Sequence, residues 1–167
     1  SDNIRVGLIG YGYASKTFHA PLIAGTPGMA LAAVSSSDAA KVHADWPAVP
    51  VVSEPKHLFN DPNIDLIVIP TPNDTHFPLA KATLEAGKHV VVDKPFTVTL
   101  SQARELEALA KSLGRVLSVF HNRRWDSDFL TVKTLLGEGT LGEIVFFESH
   151  FDRFRPQVRN RWREQAG

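Results

Sequence analysis

Short apolar segments alternate with helical periodicities along the first two thirds of the chain. The first segment runs into Gly10, as expected for a buried strand that enters a tight turn, and it contains Ile4, Val6, Leu8 and Ile9. Five further segments of this kind predict strands at 31–34, 51–52, 66–69, 90–92 and 116–119. Helical spacing separates them at 18–23, 78–86 and 100–113, and Thr99 and Gln102 have capping-box spacing before the last helix. This pattern predicts a doubly wound α/β fold with a parallel sheet.

The pattern changes after residue 121. Residues 129–136 have the spacing of an amphipathic helix, 137–142 form a glycine-punctuated turn, and 144–151 predict a strand that is apolar on both faces. One helix and one strand fall short of the ~40 residues that a unit needs to fold alone. We therefore expect a first domain at 1–121, and at 122–167 the start of a second domain whose remaining strands follow Gly167.

The composition of the chain indicates which kinds of molecule it binds. The 18 basic and 18 acidic side chains cancel, which argues against nucleic acid or an anionic membrane surface and favours a small molecule. Cysteine is absent, which excludes thiolate metal sites, and no histidine spacing fits a metal. We expect a cytoplasmic protein, because no apolar run approaches the ~18 residues of a membrane span and no signal pattern precedes Val6.

A glycine turn follows the first strand, with the pattern Gly10-x-Gly12-x-x-Ser15. Glycines there let the backbone approach a diphosphate, whose charge then lies at a helix N-terminus. An isolated match of this kind is equally consistent with a tight turn alone, but its place on the first strand-to-helix connection favours a dinucleotide site. The residues expected to contact the cofactor are Gly10, Tyr11, Gly12, Tyr13 and Ala14.

The second strand ends in three serines instead of an acid. A carboxylate there would hydrogen-bond the ribose of NAD and would repel the 2′-phosphate of NADP. Its absence favours NADP, with Ser36, Ser37 and Lys41 as contacts, although an inward Asp38 would favour NAD and the serines alone are also consistent with a solvated turn.

Three polar motifs follow three later strands. They are Thr71-Pro72-Asn73-Asp74-Thr75-His76, Asp93-Lys94-Pro95 and His121-Asn122-Arg123-Arg124-Trp125-Asp126. With the glycine turn they resemble the Gfo/Idh/MocA oxidoreductase family over essentially the whole chain. The last motif, together with Arg155-Pro156 and Arg161-Trp162-Arg163, is similar to the NADP-dependent scyllo-inositol dehydrogenase branch. The resemblance implies a Rossmann domain followed by an α/β domain with an open, mostly antiparallel sheet that begins at 144–151.

The resemblance also implies roles for single residues. Those implied to bind the cofactor include Thr71, Pro72, Asn73, His76, Asp93, Asn122 and Arg123. Lys94 is implied to be catalytic, between nicotinamide and substrate and followed by a cis peptide, where a protonated lysine stabilises a substrate oxygen. The family usually has glutamate at the position of Asp93, which is one methylene shorter, so any contact of that glutamate with the cofactor is expected to be lost or bridged by water.

The sequence indicates fewer residues for the substrate than for the cofactor. Arg123 and Arg124 follow a strand end and are expected to meet substrate or phosphate oxygens, with Arg123 the stronger candidate. For Trp125, packing at the domain junction is favoured over stacking on the substrate. The histidine that exchanges the proton in the family is expected beyond Gly167, so the chain alone is expected to be inactive.

These features predict an enzyme that transfers a hydride between a secondary alcohol of an inositol or sugar and NADP, or alternatively NAD. We expect it to be a homo-oligomer at full length. A dinucleotide-binding sensor without turnover is the alternative, because a fold does not determine a function. S-adenosylmethionine binding is disfavoured, since it usually requires an acid after the second strand.

Overall fold

The computed structural model describes residues 3–154 and 156–157. The chain divides into two compact units, Ser1–Asn122 and Arg123–Gly167. The first unit contains the strands β1 (Ile4–Ile9), β2 (Met29–Ser35), β3 (Val51–Val52), β4 (Leu66–Ile69), β5 (His89–Asp93) and β6 (Leu117–Phe120). Its α-helices are α1 (Ala20–Gly25), α2 (Ala39–His43), α3 (Pro55–Asn60), α4 (Asn73–Glu85) and α5 (Leu100–Ser112).

The strands of this unit form one parallel sheet in the order β3-β2-β1-β4-β5-β6. Each strand connects to the next through a helical segment, so the predicted doubly wound fold is confirmed. The order of strands reverses at β1, which lies between β2 and β4. In open α/β sheets, ligands bind at the carboxyl ends of the strands at this reversal.

Apolar side chains cover both faces of the sheet, as the continuous apolar strands require. One core cluster contains Ile67, Ile69 and Val90 together with Leu84 of α4 and Leu106 of α5. The other contains the intervening strand residues, among them Leu8, Val34 and Val68, packed with Ile23 of α1 and Val42 of α2. This packing fixes the strand ends that carry the polar motifs.

Two helices of the first unit begin differently from their predictions. The helix expected at 18–23 is preceded by a π-helical turn at Ser15–His19, which the apolar spacing did not indicate, and continues as α1. The helix expected at 78–86 begins at Asn73, because Pro72 occupies the extended position before its first turn and the helix continues through Pro78. The Thr99–Gln102 capping box of α5 is confirmed, with both reciprocal hydrogen bonds present.

The second unit contains helix α6 (Ser127–Gly137), which confirms the amphipathic spacing, after a 3-10 turn at Asn122–Trp125. The strand expected at 144–151 is not formed, because a strand requires a neighbour to satisfy its backbone and the segment pairs with none among residues 3–154 and 156–157. Trp125, for which packing at the domain junction was favoured, is 78% exposed in this unit. Arg155 and the 161–163 motif lie outside the described residues.

Across residues 3–154 and 156–157, no helix has the length and apolar character of a membrane span. In the same residues, no group of three metal-ligating side chains occurs.

Candidate active site at the carboxyl edge of the sheet

The glycine turn is fixed by bonds from its own helix and from the neighbouring strand. Gly10 has a φ of +80° and donates its N–H to Ser35 O at 2.7 Å. Ser15 is buried, and its Oγ donates to Gly10 O at 2.9 Å. The serine at the third fingerprint position therefore bonds the helix to the turn that it follows.

Tyr11 connects the glycine turn to the segment after α2. Its side chain is buried, and its hydroxyl donates to the Asp45 carboxylate at 2.9 Å. Lys16 Nζ lies 2.8 Å from the same carboxylate. The ammonium of Lys16 and the Tyr11 hydroxyl lower the pKa of Asp45, while burial and the Asp45 carboxylate raise the pKa of the tyrosine. The Tyr11 ring thus stabilises the turn, and its backbone remains at the surface of the crevice.

An open crevice of about 410 Å³ lies at the reversal of strand order. Its lining comes from the glycine turn and from the segments after β2 and β3, and consists of Ile9, Gly10, Tyr11, Gly12, Ser35, Ser36, Ser37, Asp38, Lys41 and Ser53. The Asp38 carboxylate accepts the N–H of Lys41 at 3.0 Å and so caps α2. Ser36 Oγ accepts the N–H of Asp38 at 3.1 Å. The Asp38 carboxylate, which would favour NAD if it turned inward, therefore accepts a hydrogen bond from the first turn of α2.

The segment after β4 lies beside the glycine turn. A Cβ added at Gly10 would meet Thr71 Cγ2 at 3.7 Å. Thr71 and Thr75 are hydrogen-bonded through their hydroxyls at 2.6 Å. Since Pro72 and Asn73 start α4 at this edge, the first two sequence motifs lie next to each other in the fold.

His76, for which the resemblance implies a cofactor contact, is buried between the segments that follow β4 and β5. It is 1% exposed, and its Nδ1 and Nε2 lie 2.8 Å from Pro95 O and Thr71 O respectively. Both ring nitrogens are therefore occupied by backbone oxygens. His76 joins the segment after β4 to the segment after β5, which contains Lys94.

Lys94 is exposed at the end of β5, and the Lys94–Pro95 peptide is cis as expected. Its backbone N–H donates to Asp93 Oδ1 at 2.7 Å. Burial acts to raise the pKa of Asp93, but His19 and the Lys94 N–H lower it more strongly, and the net shift is downward. The Asp93 carboxylate is thus directed at the backbone N–H of Lys94 and at His19.

The residues of this edge fit a dinucleotide. Gly12 lines the open crevice, and a Cβ added there would meet no protein atom within 4 Å, so the space beside its backbone is free for a ligand. The helix that follows the turn presents backbone N–H groups without intrahelical acceptors, which suit an anionic group. Lys41 lies at the far side of the crevice as a cation for a further phosphate.

The expected substrate residues belong to the second unit. Arg123 Nη1 lies 2.6 Å from Asp126 Oδ2, and its guanidinium is 5.9 Å from the centre of the Phe151 ring. Arg124 and Trp125 are exposed. Asn122 ends the first unit directly after β6, at the same edge of the sheet as Lys94.

Comparison with known proteins agrees with this geometry. The sequence model of the Gfo/Idh/MocA oxidoreductase family, described as an NAD-binding Rossmann fold, matches residues 4–121. The chain belongs to this family. Residues 4–121 are therefore the NAD-binding Rossmann fold of this oxidoreductase family, as the glycine turn and the strand order indicated.

Family members of known sequence or structure match nearly the whole chain. The oxidoreductase YdgJ of Escherichia coli K12 is 88% identical over 167 residues, which are 100% of this chain and 48% of YdgJ. The NADP+-dependent scyllo-inositol 2-dehydrogenase IolW of Bacillus subtilis is 41% identical over 166 residues, 99% of this chain and 46% of IolW. The solved Yersinia pestis oxidoreductase YPO2259 has a TM-score of 0.94 and 77% identity, covering 98% of this chain and 47% of its own. The chain thus spans about half the length of these relatives.

Three residues of this Gfo/Idh/MocA site were not predicted as parts of it. Ser53 follows β3 and lines the crevice, and its place directly after an apolar strand was an available signal. Asp45 and His19 gave no such signal, because each meets its partner only through the tertiary fold.

Proposed function

We propose that this chain is the cofactor-binding part of an NADP-dependent dehydrogenase that oxidises a secondary alcohol of an inositol or sugar. The observation that carries the proposal is the common edge of the sheet, where the crevice at Gly12 and the segment of Lys94 are joined through Thr71 and His76. Kinship with IolW supports the substrate class and the choice of cofactor.

Bound NADP+ supplies a nicotinamide C4 that accepts a hydride from the alcohol carbon. Lys94 donates a hydrogen bond from its ammonium to the substrate oxygen, which stabilises that oxygen as the carbonyl forms. The hydroxyl proton leaves to a general base, a role for which we propose a residue outside this chain. The cytoplasm, which holds the pool of these cofactors, is the proposed compartment.

The preference for NADP rests on charge. The segment after β2 presents Ser36, Ser37 and Lys41 to the crevice, and the Asp38 carboxylate is held by the N–H of Lys41. A 2′-phosphate there meets the Lys41 cation and two hydroxyl groups, while the Asp38 carboxylate, which also lines the crevice, is directed at the N–H of Lys41. NADPH should therefore bind this chain about tenfold more tightly than NADH, because one charge-assisted hydrogen bond contributes about 1.5 kcal/mol or more.

Fluorescence titration of the chain with NADPH and NADH tests the cofactor. Equal affinities, or tighter binding of NADH, would contradict the charge argument. Turnover is tested on a protein extended to the length of its relatives, with inositol isomers and aldoses as substrates.

Replacement of Lys94 tests the role of its ammonium. Lys94→Ala should lower kcat by about a hundredfold or more, because it removes an interaction that strengthens in the transition state, while the Kd for NADPH changes little. Lys88→Ala is the matched control, since Lys88 bonds Asp61 O at 2.7 Å, away from the crevice. Unchanged kcat in Lys94→Ala would remove the lysine from the mechanism.

A further inference from the structure

A second buried histidine, in addition to His76, lies beside the segment of Lys94. His19 ends the π-helical turn that follows the glycine loop, and it is 4% exposed. Its Nε2 lies 3.6 Å from Asp93 Oδ2, beyond a well-formed hydrogen bond, and makes no other polar contact in the described part of the chain. A buried polar atom without a partner is uncommon and requires an explanation.

The environment of His19 fixes the direction of its ring. The imidazole packs on Phe120 of β6 with a centroid separation of 4.3 Å, so β6 and the first helix hold it from two sides. The ring is thereby directed at the carboxylate that precedes Lys94. Single π-helical turns often occur at functional sites, where they redirect a side chain.

The Asp93 carboxylate lies between two groups. One oxygen faces His19 and the other accepts the Lys94 N–H at 2.7 Å. The side chain of Asp93 is only 13% exposed, so water cannot readily replace either partner. A rotation of this carboxylate would leave the Lys94 N–H without its acceptor.

We propose that His19 is a positioning residue for Lys94, because it holds the Asp93 carboxylate in the orientation that accepts the Lys94 backbone N–H. This inference rests on the proposed catalytic role of Lys94. It connects the helix of the phosphate-binding turn to the lysine through Asp93, so the two ends of the cofactor site are fixed relative to each other.

The test uses His19→Phe, which keeps the ring packing against Phe120 but removes the nitrogen that faces Asp93. His57→Gln, at an exposed histidine of α3, is the matched control. In amide NMR spectra of the chain, a charge-assisted bond shifts the Lys94 N–H downfield. His19→Phe should move this signal upfield and speed its hydrogen exchange about tenfold, while His57→Gln leaves both unchanged.

Conservative variants separate positioning from packing. His19→Gln keeps an N–H donor towards Asp93 and should restore much of the Lys94 signal that His19→Phe loses. Asp93→Asn keeps an acceptor for Lys94 but loses the charge, and it should give an intermediate shift. If His19→Phe does not fold, His19→Leu takes its place, because it also has no nitrogen to face Asp93. A wild-type Lys94 signal in His19→Leu would overturn the proposal.

Kinetics supply the functional readout in a protein extended to the length of its relatives. His19→Phe should lower kcat about tenfold while KM for NADP+ stays within about twofold, since small displacements of a catalytic group reduce the rate more than binding. Unchanged kcat would overturn the positioning role alone. Failure of the wild-type chain to bind NADPH would instead overturn the proposed function, so the two outcomes are distinguishable.

Discussion

Alanine at Gly12 should separate cofactor binding from folding. The backbone at Gly12 lacks the positive φ of Gly10, and a Cβ there meets no protein atom within 4 Å. The substitution should therefore change the free energy of unfolding by no more than about 0.5 kcal/mol. The new methyl group projects into the crevice instead, where it keeps a diphosphate away from the backbone.

The expected loss of affinity follows from the bonds that the methyl group prevents. A backbone N–H that donates to a charged group contributes about 1.5–3 kcal/mol. Loss of one such bond weakens binding about 10- to 150-fold. Gly12→Ala should raise the Kd for NADPH by this factor in a fluorescence titration, with an unchanged melting temperature.

Two other glycines provide the comparison. Gly25→Ala is the matched control, because its Cβ also meets open space and its φ is ordinary, but it lies at the end of α1 away from the crevice. Gly10→Ala should lower stability by about 1–2 kcal/mol through its left-handed backbone. Wild-type affinity in Gly12→Ala, or equal losses of affinity in Gly12→Ala and Gly25→Ala, would refute the assignment of the turn to a diphosphate.

Three further predictions concern cofactor choice, helix capping and pH. Ser37→Asp places a carboxylate in the crevice and should weaken NADPH binding about tenfold, because the carboxylate repels the 2′-phosphate, while NADH, which lacks that phosphate, should bind at least as tightly as before. Thr99→Ala removes the cap of α5 and should cost about 1 kcal/mol, or about 2–4 °C in calorimetry. Because the pKa of Asp93 is lowered in the folded protein, its ionised carboxylate stabilises the fold above the ordinary carboxyl pKa. This contribution to the free energy of unfolding is lost as pH falls through the pKa of the folded state. Denaturant titrations of Asp93→Asn should therefore differ from wild type at neutral pH and converge with it in acid.

The sheet was predictable because parallel strands buried on both faces must be apolar at successive positions. The strands β3 and β4 were predicted with their observed bounds, and β6 was predicted one residue early. The glycine turn and the polar motifs were predictable for a related reason, since each follows directly on such a strand. Local sequence was sufficient to predict these features because each depends on residues that are close together in the chain.

Contacts between distant segments were not predictable. The Tyr11 hydroxyl meets Asp45, 34 residues away, and His19 meets Asp93 across the sheet edge. A histidine at a helical position looks the same in sequence whether it is buried or solvated. The segment 144–151 has the apolar pattern of a strand, but in the part of the chain that the structure describes it pairs with no other strand.

The most direct test of the central claim is a crystal structure of this chain with NADP+. It should show the diphosphate against the backbone at Gly12, the 2′-phosphate near Lys41, and the Lys94 ammonium within about 4 Å of the space beside nicotinamide C4. A cofactor bound elsewhere, or a Lys94 side chain turned away from the nicotinamide, would contradict the account.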